Sequence, residues 1–315
     1  MRRPLRRTAA RRRLNTVSSG LVVAAHGRHC LVEADDGSRR ICHPRGKRSQ
    51  AVVGDRVRWS SPPTGQGEEG SIEAVEPRRN LLYRQDEIRT KSFAANIDQV
   101  LVLIAAEPEP SEQQLARVLI AAEAAHIAPL VVLNKRDLPE PFARAWQRLA
   151  PYRAMGYGVH TASLRTEGAG ELAPLLHGKA TLVLGPSGAG KSTLINQLVP
   201  GAAVLTQEIS YALKSGKHTT TSTTWYWTDA TRSTAVIDSP GFQEFGLHQI
   251  APRQLAALMP DIAAHADQCR FYNCTHLHEP GCAVLAAVGE EGDIAPRRHA
   301  IYSDLFAELS QPPRY

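Results

Sequence analysis

The sequence predicts a multidomain protein: a small N-terminal β-barrel, a central α/β nucleotide-binding domain and a C-terminal α-helical segment organised by a metal. Three observations carry this. Five short strand patterns crowd into residues 18–83. From about residue 95, strand runs alternate with helical patterns, and one such run ends in G-x-x-x-x-G-K-S. Three cysteines and two histidines fall within the fourteen residues from Cys269 to Cys282. At about 100–200 residues per domain, 315 residues fit two or three units. A hydrophobic content of 43% supplies core and excludes a wholly disordered chain.

The first segment, 1–17, is a basic disordered arm. Its first thirteen residues hold seven arginines (Arg2, Arg3, Arg6, Arg7, Arg11, Arg12, Arg13) and no acid. Removing those charges from the net +6 leaves the rest of the chain at −1, so the basic signal belongs to the arm. Such arms bind nucleic acid or anionic surfaces by counterion release. An Arg-rich, acid-free, Ser-containing start also fits a transit peptide, and a solvated tail is the plain alternative. The apolar run Val100 to Ala106 stops at seven residues, too short for a membrane span.

Residues 18–83 follow, with strands expected at Gly20–Ala25, Cys30–Glu33, Arg40–Cys42, Arg56–Trp59 and Ser71–Val75. Gly54-Asp55 and the stretch Ser61 to Gly70 are turn material. Five strands in this length suit a small barrel, of which the OB-fold is the nucleic-acid-binding example; an SH3-like barrel fits the same spacing. The α/β segment, 84–246, has strand runs at Val100–Ile104, Leu130–Leu133, Thr181–Leu184 and Thr234–Ile237. Ser111 followed by Gln114 opens a helix with Leu115, Val118, Leu119 and Ala122 on one face. Strands alternating with helices predict a parallel sheet. Residues 247–315 lack strands; Arg253–Leu258 reads as a short helix, and Ile301, Tyr302, Leu305, Phe306 and Leu309 as a final amphipathic one.

Chemistry enters at Gly185-Pro186-Ser187-Gly188-Ala189-Gly190-Lys191-Ser192-Thr193. This is a P-loop in the context it needs, directly after a strand. Its glycines let backbone N–H groups close around phosphate oxygens, and the next helix adds its dipole. Lys191 would reach the β- and γ-phosphates and Ser192 would ligate Mg²⁺. Asn134-Lys135-Arg136-Asp137 follows the strand Leu130–Leu133. A carboxylate at Asp137 can accept from N1–H and the 2-amino group of guanine, which adenine does not offer, so it would select GTP over ATP. Asn134 would brace the site and the Lys135 stem would cover the base. Two of only seven lysines stand where these two motifs demand them. Thr161-Ala162 could supply a backbone N–H to guanine O6. Asp238-Ser239-Pro240-Gly241 ends the strand Thr234–Ile237. Asp238 would hold Mg²⁺ through water, and the Gly241 N–H would sense the γ-phosphate. A threonine from Gly216–Thr221, Thr220 or Thr221 first, would complete Mg²⁺ coordination.

Ordinary GTPases read P-loop, D-x-x-G, N-K-x-D. Here N-K-x-D at 134 precedes the P-loop at 185, which precedes D-x-x-G at 238. This is a circularly permuted order. With Val53-Gly-Asp-Arg-Val57, Ala94-Ala-Asn-Ile-Asp98, the Gly216–Thr221 loop and the Cys269–Cys282 cluster, the chain from about residue 18 resembles the ribosome-small-subunit-dependent GTPase A (RsgA) family. The resemblance implies an OB-fold, a permuted GTPase domain and a zinc-binding helical domain. It also implies a monomeric cytoplasmic GTPase that binds the small ribosomal subunit and its rRNA and acts in that subunit's late maturation.

Clustered Cys and His in a reducing compartment read as metal ligands before disulfides. Cys269-x4-Cys274-x-His276-x5-Cys282 offers a closed tetrahedral Cys₃His zinc site. Spacing leaves His278 as a rival; the family's pattern picks His276. Many small GTPases place Gln directly after D-x-x-G to orient the attacking water. Phe242 stands there, so intrinsic hydrolysis should be slow, a partner should complete the site, and His218 is the nearest candidate for positioning water. Two other classes remain on sequence grounds. An ATP-using phosphotransferase is opposed by Asp137, and a nucleic-acid binder with a vestigial nucleotide fold by intact Lys191, Ser192 and Asp238.

Overall fold

The computed structural model describes residues 17–26, 29–45, 51–61, 69–85, 90–202, 205, 223–240 and 245–311. The basic arm and the loop holding His218, Thr220 and Thr221 lie outside the described residues, as do Gly241 and Phe242.

Five strands form the barrel: β1 (Val17–His26), β2 (His29–Ala34), β3 (Arg39–Pro44), β4 (Arg56–Ser60) and β5 (Gly70–Val75). Each expected strand lies inside one of these. Pairing runs β1-β2-β3-β5-β4 and closes β4 back on β1, with β3 and β5 parallel and the other pairs antiparallel. This closure with one parallel pair is the OB arrangement and excludes the SH3-like alternative. Alternate residues fill the interior: Val22, Cys30, Val32, Cys42, Val57, Trp59 and Ile72. Cys30 and Cys42 are register partners inside it. Burial pushes the Cys30 thiol up to about 12, so both act as small apolar residues.

A hairpin, β6 (Leu81–Gln85) with β7 (Thr90–Ala95), joins barrel to sheet. The boundary expected between residues 83 and 84 falls inside β6. Ala95 N donates to Val53 O at 2.8 Å and Asn96 Nδ2 to Gly54 O at 2.9 Å. Asp55, fully buried, takes both Nε and Nη2 of Arg78. The Val53–Val57 segment thus serves docking.

The α/β sheet comprises β8 (Gln99–Ala105), β9 (Ala128–Asn134), β10 (Gly158–Thr161), β11 (Ala180–Leu184), β12 (Thr224–Trp227) and β13 (Ala235–Asp238), in the order β10-β9-β8-β11-β13-β12. All pairs are parallel except β12–β13. β8 is buried along its whole length because both faces are covered. Val100, Val102 and Ile104 pack on one side, Leu101 and Leu103 on the other. Helix α1 (Glu112–Ala124) starts where the sequence places it, with the Ser111 side chain accepting from Gln114 N, and α2 (Pro139–Arg148), α3 (Ala150–Ala154), α4 (Ala173–Leu176) and α5 (Lys191–Leu198) follow. β12 joins the barrel through Ala24 opposite Thr224, and Trp227 Nε1 donates to the buried Glu33 at 2.8 Å.

After residue 245 the fold is helical. The expected Arg253–Leu258 helix is instead two 3₁₀ turns, Pro252–Gln254 and Ala256–Leu258. Short segments with Pro at the start favour such tight turns. Beyond them come α6 (Pro260–Ala266), α7 (Ala283–Ala287) and α8 (Pro296–Leu309). No helix among the described residues is long and apolar enough to cross a membrane.

Candidate guanine-nucleotide site and metal cluster

From β8 the chain steps outward through β9 and β10; from β11 it steps the other way to β13. The order therefore reverses between β8 and β11. Parallel α/β sheets bind ligands in the crevice at such a reversal, beyond the carboxyl ends of the strands. All three motifs sit on that edge: residues 134–137 after β9, 185–190 after β11 and 238–240 after β13. Sheet order, not chain order, brings them together, so the permutation leaves the site intact.

Gly185 and Gly190 shape the P-loop. A Cβ on Gly185 would lie 2.1 Å from the Leu103 carbonyl oxygen, so only glycine lets this strand end pass so close to β8. Gly190 has φ +105° and caps helix α5 (Lys191–Leu198) without a side chain. The first-turn N–H groups there have no intrahelical acceptor, which suits a phosphate. Ser192 and Thr193 are exposed on that turn, and Ser187 and Gly188 at the loop tip. Lys191 Nζ lies against the loop, donating to Gly185 O at 2.7 Å and Pro186 O at 3.0 Å.

Lys191 and Asp238 feel each other. Burial draws the lysine pKa down and the Asp238 charge opposes this; burial raises the Asp238 carboxyl and Lys191 opposes that. A half-buried cation facing a carboxylate is suited to a ligand that brings both phosphate and a divalent ion. Ser239 Oγ, donating to Val183 O at 2.9 Å, ties the end of β13 to β11.

Asn134 is 4% exposed and couples two loops. Its Nδ2 donates to Ala189 O at 2.9 Å, and its Oδ1 accepts from Leu164 N at 3.1 Å. Asp137 is exposed beside it. The Ser163 hydroxyl donates to Asp137 at 2.7 Å and holds its carboxyl below the usual carboxylate range, with Arg165 and Lys135 adding to this. Lys135 takes φ +69° and its ammonium contacts Glu107 O. Arg136 turns to Thr161 Oγ1 and Glu167.

Of the expected pair Thr161-Ala162, Thr161 is half-buried at the end of β10. The Ala162 N–H is spent on Leu133 O at 2.9 Å, continuing the β9–β10 ladder, and Ala162 is 3% exposed. The residue that meets Asp137 is Ser163, which sequence reasoning missed. A serine two residues past a strand end is an ordinary loop residue, and only the fold reveals its partner.

The comparisons agree with this geometry. The RsgA GTPase family model matches residues 75–248. The chain belongs to the RsgA GTPase family. The protein of Variovorax paradoxus named small ribosomal subunit biogenesis GTPase RsgA is 69% identical over 298 residues, covering 93% of this chain and 92% of that one. The Paraburkholderia xenovorans protein of the same name is 51% identical, covering 94% and 95%. YjeQ from Thermotoga maritima superposes with TM-score 0.71 at 30% identity, over 94% of this chain and all of that one. YloQ, described as a circularly permuted GTPase, gives 0.69 at 26% identity, over 98% and all. The fold is that of the circularly permuted RsgA GTPases, and the enzyme is a GTP hydrolase.

The second site of this RsgA protein is its C-terminal cluster. One donor atom each from Cys269, Cys274, His276 and Cys282 lie within 4.8 Å of one another, so the four could hold a metal ion. His276 Nδ1 stands 3.4 Å from Cys269 Sγ and 3.6 Å from Cys282 Sγ. His276 is 5% exposed and takes φ +60°, which aims its ring inward. His278 is exposed and does not join the cluster. Burial pushes the Cys274 thiol up to about 12 and lowers the His276 pKa. Cys269 moves the other way: against the effect of burial, backbone hydrogen bonds from Val284 and Ala283 draw its thiol down, and a bound cation would favour the thiolates further. Glu279, also missed from sequence, knits the loop: it accepts from the backbone N–H groups of Thr275, Leu277 and His278 and from Cys274 Sγ. Tyr302 OH donates to Thr275 O at 2.9 Å, binding helix α8 to the cluster.

Proposed function

We propose that this GTPase assists late maturation of the small ribosomal subunit, binding it in the GTP state and leaving it after hydrolysis. The support for the ribosomal role is the naming of relatives at 69% and 51% identity over nearly their full lengths. The observation that carries the nucleotide chemistry is Asn134 joined to Ala189: it holds the guanine-selecting and phosphate-binding loops in one crevice.

In this reading the P-loop from Gly185 to Thr193 cradles the phosphates and Lys191 faces the β- and γ-phosphates. Ser192 and Asp238 hold Mg²⁺, and Asp137, positioned by Ser163, selects guanine. Their carboxylate and hydroxyl oxygens suit a hard cation. The Cys₃His set suits a structural zinc, which would let about seventy C-terminal residues fold around a small core. Phe242 cannot orient water, so intrinsic turnover is slow and the subunit accelerates it, with His218 the first candidate for positioning water. Gly241 and a threonine, Thr220 or Thr221, read the γ-phosphate. The arm and barrel meet rRNA mostly through its phosphates. The working place is the cytoplasm, as a monomer.

The coupling has a structural route. Residues 245–248 begin four positions after Gly241 in the sequence and are clamped on three sides. Phe245 stacks on Phe93 of the hairpin with centroids 5.6 Å apart. His248 N donates to Gln85 O at 3.0 Å. Arg117 of α1 bonds both Phe245 O and Glu308 of α8. A displacement carried to residues 245–248 would be felt by the hairpin, α1 and the C-terminal helix together. The test is subunit affinity of the GTP-loaded against the GDP-loaded protein. Equal affinities would sink the release step, because a ligand without differential affinity shifts nothing.

A further inference from the structure

We propose that His29, His43 and Glu69 form a second metal site, for a borderline divalent cation such as Zn²⁺, on the outer face of the barrel. Among the described residues, only two groups of His, Cys, Asp and Glu converge closely enough to hold an ion, and this is the one outside the C-terminal cluster.

Three adjacent strand positions build it. Cys30 on β2 and Cys42 on β3 are register partners facing the barrel core, so His29 and His43 are opposite one another with their side chains turned outward. Their rings meet edge-on with centroids 4.6 Å apart. β5 runs parallel beside β3, with Cys42 opposite Gly70, and Glu69 stands directly before that strand. Glu69 Oε2 contacts His43 Nε2. One donor atom from each residue lies within 4.8 Å of the others.

The donor set has a chemical meaning. Each neutral imidazole carries one lone-pair nitrogen, and a single carboxylate has no proton to give them. A divalent ion satisfies both imidazoles and the carboxylate at once. Two histidines and one glutamate are a recurrent three-ligand zinc set, leaving a fourth position for water. Ligands about 2.0–2.1 Å from a tetrahedral ion stand about 3.3 Å apart, which this group reaches by small side-chain shifts. The nearby cation Arg45 is already held by Glu73 at 2.7 Å, so its charge is offset. The ion would tie β2, β3 and the start of β5, the part of the barrel where its single parallel pair lies.

The experiment counts metal on the full chain. Wild-type protein and the His43→Ala and Glu69→Gln variants are dialysed to equilibrium against micromolar Zn²⁺, and bound zinc is measured per chain. The expected result is two equivalents for wild type and one for each variant, with the second equivalent at least tenfold weaker in the variants. Far-UV dichroism and GTP turnover verify that the variants are folded. Co²⁺ added to wild type carrying a single equivalent of zinc gives a reading free of any folding question: weak visible bands without thiolate charge transfer. One equivalent in all three chains overturns the proposal and leaves a His43–Glu69 contact only. Two equivalents in all three chains overturn it as well, by locating the extra ion elsewhere.

Discussion

Replacing Asn134 by alanine tests whether this side chain works as a coupler between loops. Its two hydrogen bonds, at 2.9 and 3.1 Å, are both buried. Truncation leaves the Ala189 carbonyl and the Leu164 N–H without partners. A buried polar group left unpaired costs about 1–3 kcal/mol, so two cost roughly 2–6 kcal/mol before relaxation. Water entering the vacated space recovers part, leaving about 2–4 kcal/mol. That penalty is shared between fold stability and nucleotide affinity. With half of it in affinity, Kd rises about 5- to 30-fold, at 1.4 kcal/mol per factor of ten. Asn134 touches the loops on either side of the crevice, so GTP and GDP weaken together and the guanine-over-adenine preference persists. Fluorescent-nucleotide titration gives the Kd values and thermal unfolding gives the remainder. Kd values within twofold of wild type together with an unchanged Tm would refute the coupling role.

Three further outcomes follow from the geometry. Asp137→Asn exchanges two acceptors for an acceptor and a donor, so GTP binding falls and xanthosine triphosphate, with a carbonyl in place of the 2-amino group, binds better than GTP; competition titration reads the order. Metal chelation removes the centre that fixes α6 to α8, so helicity and protease resistance of residues 260–309 drop; His276→Ala reproduces this and His278→Ala does not. The raised Asp238 pKa gives a signed pH dependence: the carboxyl takes up its proton at a higher pH than an ordinary aspartate, so Mg²⁺-dependent nucleotide affinity declines on acidification before an unperturbed carboxylate would titrate. In stability the sign is opposite. The unfolded chain loses this proton first, so the contribution of Asp238 falls as pH rises from its unfolded to its folded value. Affinity and Tm measured across that range check both signs.

What the sequence revealed and what it hid have separable causes. β8, β9 and β11 are buried on both faces and read as continuous apolar runs, so they and their motifs stand out. β12, Thr-Trp-Tyr-Trp, is four residues long and antiparallel, and shows no such run. The β6–β7 hairpin alternates imperfectly, with a register shift between Leu82 and Tyr83, so no strand pattern marks it in the sequence. The P-loop, N-K-x-D, D-x-x-G and Cys₃His motifs stand out in the sequence because phosphate and thiophilic metal demand fixed residue types at fixed spacings. Ser163 and the His29–His43–Glu69 group do not, because their partners come from other strands and loops; Glu279 bonds within its own loop, but to backbone N–H groups that carry no residue signature. The choice between OB and SH3-like barrels needed the pairing of β3 with β5, which no local pattern encodes.

The central claim is a permuted GTPase completed by the small ribosomal subunit. Its most direct test is GTP turnover by the purified protein alone, with small subunits, and with large subunits as control. The account predicts slow turnover that only small subunits accelerate strongly. Turnover unchanged by small subunits, with no binding to them, would contradict it and leave a GTPase whose basic arm serves another polyanion.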